Sequence, residues 1–166
     1  MTGSTAGDLG QQGDRGAATV VALERLPEHA GSHLGYSAWK RISQNRINRF
    51  AAVTGDRQWI HVSPQQAARG PFGTTVAHGL LTLALFPPLL NEVLQVDGAS
   101  LAINYGLNRL RFPAPVQAGA WTRLGVELLA ADWRGGGIQT VFGATFEVHG
   151  QARPGCVAEV VFRYYP

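Results

Sequence analysis

Cysteine is almost missing from this chain. Cys156 stands alone in 166 residues, which excludes an intramolecular disulfide and a cysteine-based metal cluster and fits a reducing cytoplasm. Lysine is as scarce, with Lys40 the one lysine among fourteen basic residues, a bias we read as chiefly one of coding. Charged residues make up 15% and the net charge is +3; the arginines are scattered and no nucleic-acid motif frames them. No long apolar run is present either. The longest, Leu80 to Leu90, is interrupted by Thr82 and two prolines and is too short to cross a bilayer. No basic, apolar and cleavage regions follow one another at the start, so no signal peptide is expected. An apolar share of 45% suffices for one domain with a real core.

Carboxylates are scarce in an informative place. Between Glu28 and Glu92 there is only Asp56, and His61 follows five residues later. A lone acid among arginines and beside a histidine suits a proton-transfer site; the plainer reading makes Asp56 a turn cap and His61 an ordinary loop residue.

Residues 1–16, rich in Gly, Thr and Gln, read as a disordered tail, and 17–166 as a single domain. Val20 to His29 suggests a short helix ended by Gly31, and Tyr36 to Ile42 a strand. Ser43 is a candidate N-cap for a helix whose apolar face is Ile47, Phe50, Ala51 and Val53 and which Gly55 stops. Ser63-Pro64 starts another helical turn. Thr74 to Leu94 is apolar on nearly every side, which predicts an enclosed helix that Pro87 and Pro88 kink or split. From Leu101 the period changes to two, giving four half-buried strands joined by short connections and therefore mostly antiparallel. One of these connections is the Gly135-Gly-Gly137 hairpin turn. With the early strand, the expected fold is α+β: one long buried helix wrapped by a curved antiparallel sheet of about five strands.

That arrangement is the hot-dog fold. Gly55-Asp56-x4-His61, Ala77-His78-Gly79-Leu80 and Arg111-Phe112-Pro113-Ala114-Pro115-Val116 occur in that order. Together they resemble the MaoC-like dehydratases, which include the (R)-specific enoyl-CoA hydratases. The segment Asn104-Tyr105-Gly106-Leu107-Asn108-Arg109 looks most like their NodN-like branch. The resemblance implies a cofactor-free, metal-free hydro-lyase that interconverts trans-2-enoyl and (R)-3-hydroxyacyl thioesters of CoA or an acyl carrier protein. It also implies a homodimer. Asp56 and His61 would hold and deprotonate the water between them, and the Gly79 N–H would face the thioester oxygen. Two departures stand out. Gln58-Trp59 replaces the Asn-Pro of many members, so Gln58 would supply the amide and Trp59 would wall the acyl pocket. Pro87 occupies the position of a serine found in short hydratases, whose work is either dispensable here or done by Asn104.

Among the remaining polar residues, His78 reads first as a structural residue that fixes the helix start through its ring hydrogen bonds, and second as a lining of the thioester channel. Asn104, on what reads as a central strand, divides between an inward polar group and a ligand contact. Arg109 and Arg111 suit a solvated face or an intersubunit ion pair better than CoA phosphates. His29, His33 and His149 have no partners at metal-ligand spacing, and Cys156 reads as a buried strand residue. Two rival functions remain open: a non-catalytic acyl-thioester binder, and a thioesterase, against which the acid-free central helix argues.

Overall fold

The computed structural model describes residues 18–166, so the expected tail over 1–16 lies outside the described residues. The period-two segments fold into β5 (Leu101–Arg111), β6 (Trp121–Arg134), β7 (Gly137–Val148) and β8 (Cys156–Tyr165). With β2 (Ser32–Tyr36) they form one antiparallel sheet in the order β2-β6-β7-β8-β5. Gly135 and Gly136 turn the β6–β7 hairpin at φ 59 and 83, the left-handed pair that suits the twist of a two-stranded ribbon. Leu124, Val126, Leu128, Phe142, Ala144, Phe146 and Val160 share the inner face and are all buried. Phe86, Leu89 and Leu90 lie on that face in the same core cluster, and each such side chain contributes about 1.5–3 kcal/mol on burial.

The helical segment is shorter than its apolar composition predicts. It starts at Gly79 and breaks at Leu85 into α4 (Gly79–Ala84) and α5 (Phe86–Leu90), the break falling just before Pro87 and Pro88. Residues 75–77 are held extended by bonds on both sides: Val76 N–H donates to Ile60 O, Ala77 N–H to Val116 O, and Ala118 N–H to Thr75 O. Leu94 leaves the helix altogether. It begins β4 (Leu94–Asp97), which pairs in parallel with β1 (Thr19–Ala22), a pairing that short apolar runs do not reveal. The segment is also not fully enclosed, since Leu80 is 57% exposed.

Three local expectations need adjusting. Val20 to His29 is the end of β1 followed by a 3-10 helix over Leu23–His29 with Pro27 inside it. The strand expected over Tyr36 to Ile42 is divided between β2 and the two-residue β3 (Lys40–Arg41). At the gap Leu124 N–H donates to Ser37 Oγ at 2.9 Å and Ala38 N–H to Glu92 at 3.1 Å, so side chains replace the ladder where the chain leaves the sheet. Helix α1 (Gln44–Thr54) has Ser43 as its N-cap, accepting from Arg46 N–H, and Gly55 as its C-cap at φ 79. Val53, however, is 87% exposed and does not belong to its apolar face.

Among the described residues no helix is long and apolar enough to cross a membrane. Cys156 is fully buried on β8, and burial pushes its thiol up to about 12 because the thiolate would lose its hydration. Iodoacetamide should therefore leave the native protein unmodified and alkylate it stoichiometrically in denaturant, as read by mass spectrometry. Rapid native labelling would contradict this burial.

Candidate active site

The polar residues of the Asp56 loop converge on the start of α4. His61 lies in the short helix α2 (Trp59–Val62), followed by α3 (Pro64–Ala67) with proline in its first turn. The His61 ring is buried, and its Nδ1 donates to Val76 O at 2.7 Å. A carbonyl can only accept, so Nδ1 carries the proton and Nε2 of the neutral ring is left with a lone pair. The bend that ends α1 is tied by Thr54: its hydroxyl donates to Phe50 O at 2.8 Å and accepts from Asp56 N–H at 3.4 Å. Asp56 emerges from that bend with its carboxylate about half exposed, Oδ1 accepting from Gln58 N–H at 3.4 Å.

His78 joins the loop to the helix start. Its Nε2 donates to the main-chain oxygen of Asp56 at 3.0 Å and lies 3.9 Å from Asp56 Oδ2. The ring stacks on His61 with centroids 3.7 Å apart and touches Phe50 on α1 at 4.9 Å. Its buried Nδ1 has no partner among the described residues.

Donor atoms of Asp56, His61 and His78 all lie within 4.8 Å of one another. As a metal centre the arrangement fits poorly. In nearly parallel stacked rings the in-plane lone pairs run side by side instead of converging, and His78 Nε2 is already committed to a carbonyl. A water fits better. With hydrogen bonds near 2.8 Å and its own bond angle, a water that donates to two acceptors separates them by about 4.5 Å.

Gly79 is the first residue of α4, and its N–H meets no acceptor among the described residues. Phe112, just past β5, covers it: a Cβ at this position would lie 2.6 Å from the Phe112 ring. Gln58 precedes α2 and contributes its carbonyl to His61 N–H at 2.9 Å. The Trp59 ring lies against Gly70, where an added Cβ would come within 2.8 Å of it. Asn104 is brought to none of these groups by any described hydrogen bond; it sits exposed on β5 opposite Phe162. Gln44 was not foreseen. Its amide donates to His61 O at 2.8 Å and its carbonyl accepts from the Thr75 hydroxyl, clamping α1, α2 and the extended 75–77 segment together. A glutamine at the start of a helix gives no signal in sequence of so specific a task.

A groove of about 500 Å³ opens on the far face of the sheet between Tyr36, Arg109, Arg111 and Glu127, and none of the Asp56 cluster lines it.

Comparison with known proteins identifies the family. Residues 26–146 match the MaoC like domain. The chain is 49% identical to 3-hydroxyacyl-thioester dehydratase Z of Mycobacterium tuberculosis, over 88% of its own length and 97% of that protein's. It is 36% identical to nodulation protein N of Rhizobium leguminosarum bv. viciae, over 83% and 88% of the two chains. Among solved structures, the (R)-hydratase from A. caviae involved in PHA biosynthesis superposes with a TM-score of 0.68 at 26% identity, over 82% of this chain and 96% of that one. The hot-dog sheet and the sequence matches agree, and the chain belongs to the MaoC-like domain family.

Proposed function

We propose that this protein adds water to trans-2-enoyl thioesters to give (R)-3-hydroxyacyl thioesters, or runs the reverse dehydration, with Asp56 and His61 as its catalytic pair. The observation that carries the reading is the placement of Asp56 and His61 donor atoms within 4.8 Å of each other, with the unengaged Gly79 N–H at the adjoining helix start. The dehydratase and hydratase names of the relatives support the same reaction class.

The tautomer of His61 makes Nε2 an acceptor, and a carboxylate accepts as well. A bridging water therefore donates one hydrogen to each and turns its lone pairs toward the substrate. Its oxygen bonds to C3 as one proton passes to the pair; the electrons of the double bond move to the thioester, and a proton returns from the pair to C2. Such positioned proton transfer is worth about 10²–10⁴-fold. The Gly79 N–H would take the charge that develops on the thioester oxygen, a role in which one donor is commonly worth about 3 kcal/mol. Water and thioester balance the reaction without a cofactor. The test is loss of the conjugated-thioester absorbance of crotonyl-CoA, with the product's hand read by a chirality-specific dehydrogenase. No turnover across several chain lengths would overturn the reading.

A homodimer completes it. β5 is the outer strand of the sheet, and Leu101, Ile103, Tyr105 and Leu107 remain 40–58% exposed along it. This eleven-residue edge, with four exposed apolar side chains and no further strand paired to it among the described residues, invites a second strand, and a second copy would supply one by two-fold symmetry. Sedimentation should show a dimer for the wild type and a monomer for Ile103→Lys/Leu107→Lys; a monomeric wild type would contradict it.

A further inference from the structure

The positive charge of this protein is unevenly placed. Residues 29–91 hold Lys40 and five arginines against Asp56 alone, whereas residues 92–166 balance six arginines with six carboxylates. The ion pairs follow the same division. Arg109 pairs with Glu159, Arg123 with Glu147 and Lys40 with Glu92. Arg41, Arg46, Arg49, Arg57 and Arg69 are exposed, and the described residues offer none of them a carboxylate. The segment that carries the active loop is thus the segment that carries the net charge.

Part of that charge is ordered on one helix. Arg46, Arg49 and Val53 stand at i, i+3 and i+7 of α1, which places them in one stripe. Phe50, four positions after Arg46, borders the stripe and reaches inward to touch the His78 ring. Val53 is the most exposed of the large apolar side chains described, at 87%. It ends the stripe three residues before Asp56, with Arg57 just beyond. A stripe of two unpaired arginines and one bare valine, about 10 Å long at the helical rise, complements an amphipathic acidic helix. The compact phosphates of a nucleotide would leave the valine unmatched.

We propose that this face of α1 docks an acidic helical carrier protein that presents the acyl thioester on its phosphopantetheine arm, the stripe holding the carrier while the arm enters beside Asp56. The inference rests on the thioester reading above and names the carrier that reading leaves open. Long-range attraction between the two charged faces would chiefly speed encounter and fade as salt rises.

The test measures binding apart from turnover. Fluorescently labelled crotonyl–acyl carrier protein is titrated with the full-length protein by anisotropy, for wild type and for Arg46→Glu/Arg49→Glu. Both residues are exposed, and thermal melts report whether the variant folds. Expected is a loss of carrier affinity of about tenfold or more, with hydration of crotonyl-pantetheine unchanged. Raised salt should weaken wild-type binding toward the variant's level. Equal carrier binding by wild type and variant, or none by either, would overturn the docking surface. So would a loss confined to crotonyl-CoA turnover, which would assign the arginines to nucleotide phosphates. Failure of the hydratase reading is separately visible, as a wild type that hydrates none of the thioesters.

Discussion

Asp56→Asn should lower kcat/KM for crotonyl-CoA hydration by about 10²–10⁴-fold while leaving the protein folded. The carboxylate is half exposed, and the bond that fixes the loop runs from His78 to the main-chain oxygen of Asp56, which the substitution keeps. Asparagine retains the shape and one acceptor oxygen but has no carboxylate to share the water's proton. His61→Gln should cost a similar factor because it removes the Nε2 lone pair. It should also lower stability, by about 1–3 kcal/mol, because the buried Val76 carbonyl risks losing its donor. If both residues hold one water, the double variant will be little worse than either single one, since groups that act as a unit are not additive. Multiplicative losses would mean that Asp56 and His61 serve separate steps.

Gly79→Ala should be nearly as damaging for a different reason. Alanine keeps the N–H, so the donor itself survives. Its Cβ, however, would lie 2.6 Å from the Phe112 ring, well inside van der Waals contact, and either the ring or the helix start must move. Overpacking of this kind costs about 1–3 kcal/mol of stability, and misplacing an oxyanion donor costs about 10²–10³ in kcat. The second variant isolates the cause. Gly79→Ala/Phe112→Leu relieves the collision and should recover most of the lost kcat. No recovery would show that Phe112 is not the obstacle, and undiminished kcat in Gly79→Ala would remove Gly79 from the reaction.

What the sequence disclosed follows from the range of the forces involved. Although β5, expected to be half-buried, has no buried residue because it is the outer strand of the sheet, strands β5 to β8 were legible because alternation and the glycine turn between β6 and β7 act over a few residues. Ser43 and Gly55, the two caps of α1, were legible for the same reason. The helix start was not. Thr75, Val76 and Ala77 have small side chains compatible with a helix, but their backbone groups are claimed by Ile60, Val116 and Ala118, residues distant in sequence. The parallel β1–β4 pair was hidden likewise, since a four-residue apolar run carries no mark of its partner.

The site divides along the same line. Asp56 and His61 stood out by the absence of any other acid nearby, and the structure brings them together. A ring hydrogen bond from His78 was expected, but its partner, the Asp56 backbone, lies 22 residues away; that partner and the Gln44 clamp on His61, which spans 17 residues, were not readable from local pattern. Asn104 was expected on a central strand as an inward polar group or a ligand contact, but β5 is the outer strand of the sheet and leaves Asn104 exposed; strand order is set by pairing between distant segments and leaves no local mark.

Hydration of crotonyl-CoA in D2O, with the relative configuration of the new C–D and C–O bonds read by proton NMR, tests the shared water most directly. One water between Asp56 and His61, its proton returned to C2 by the same pair, predicts that hydroxyl and deuterium add to the same face, giving the syn product with the (R) configuration at C3. Anti addition would require a proton donor on the opposite face and would contradict the single-water mechanism.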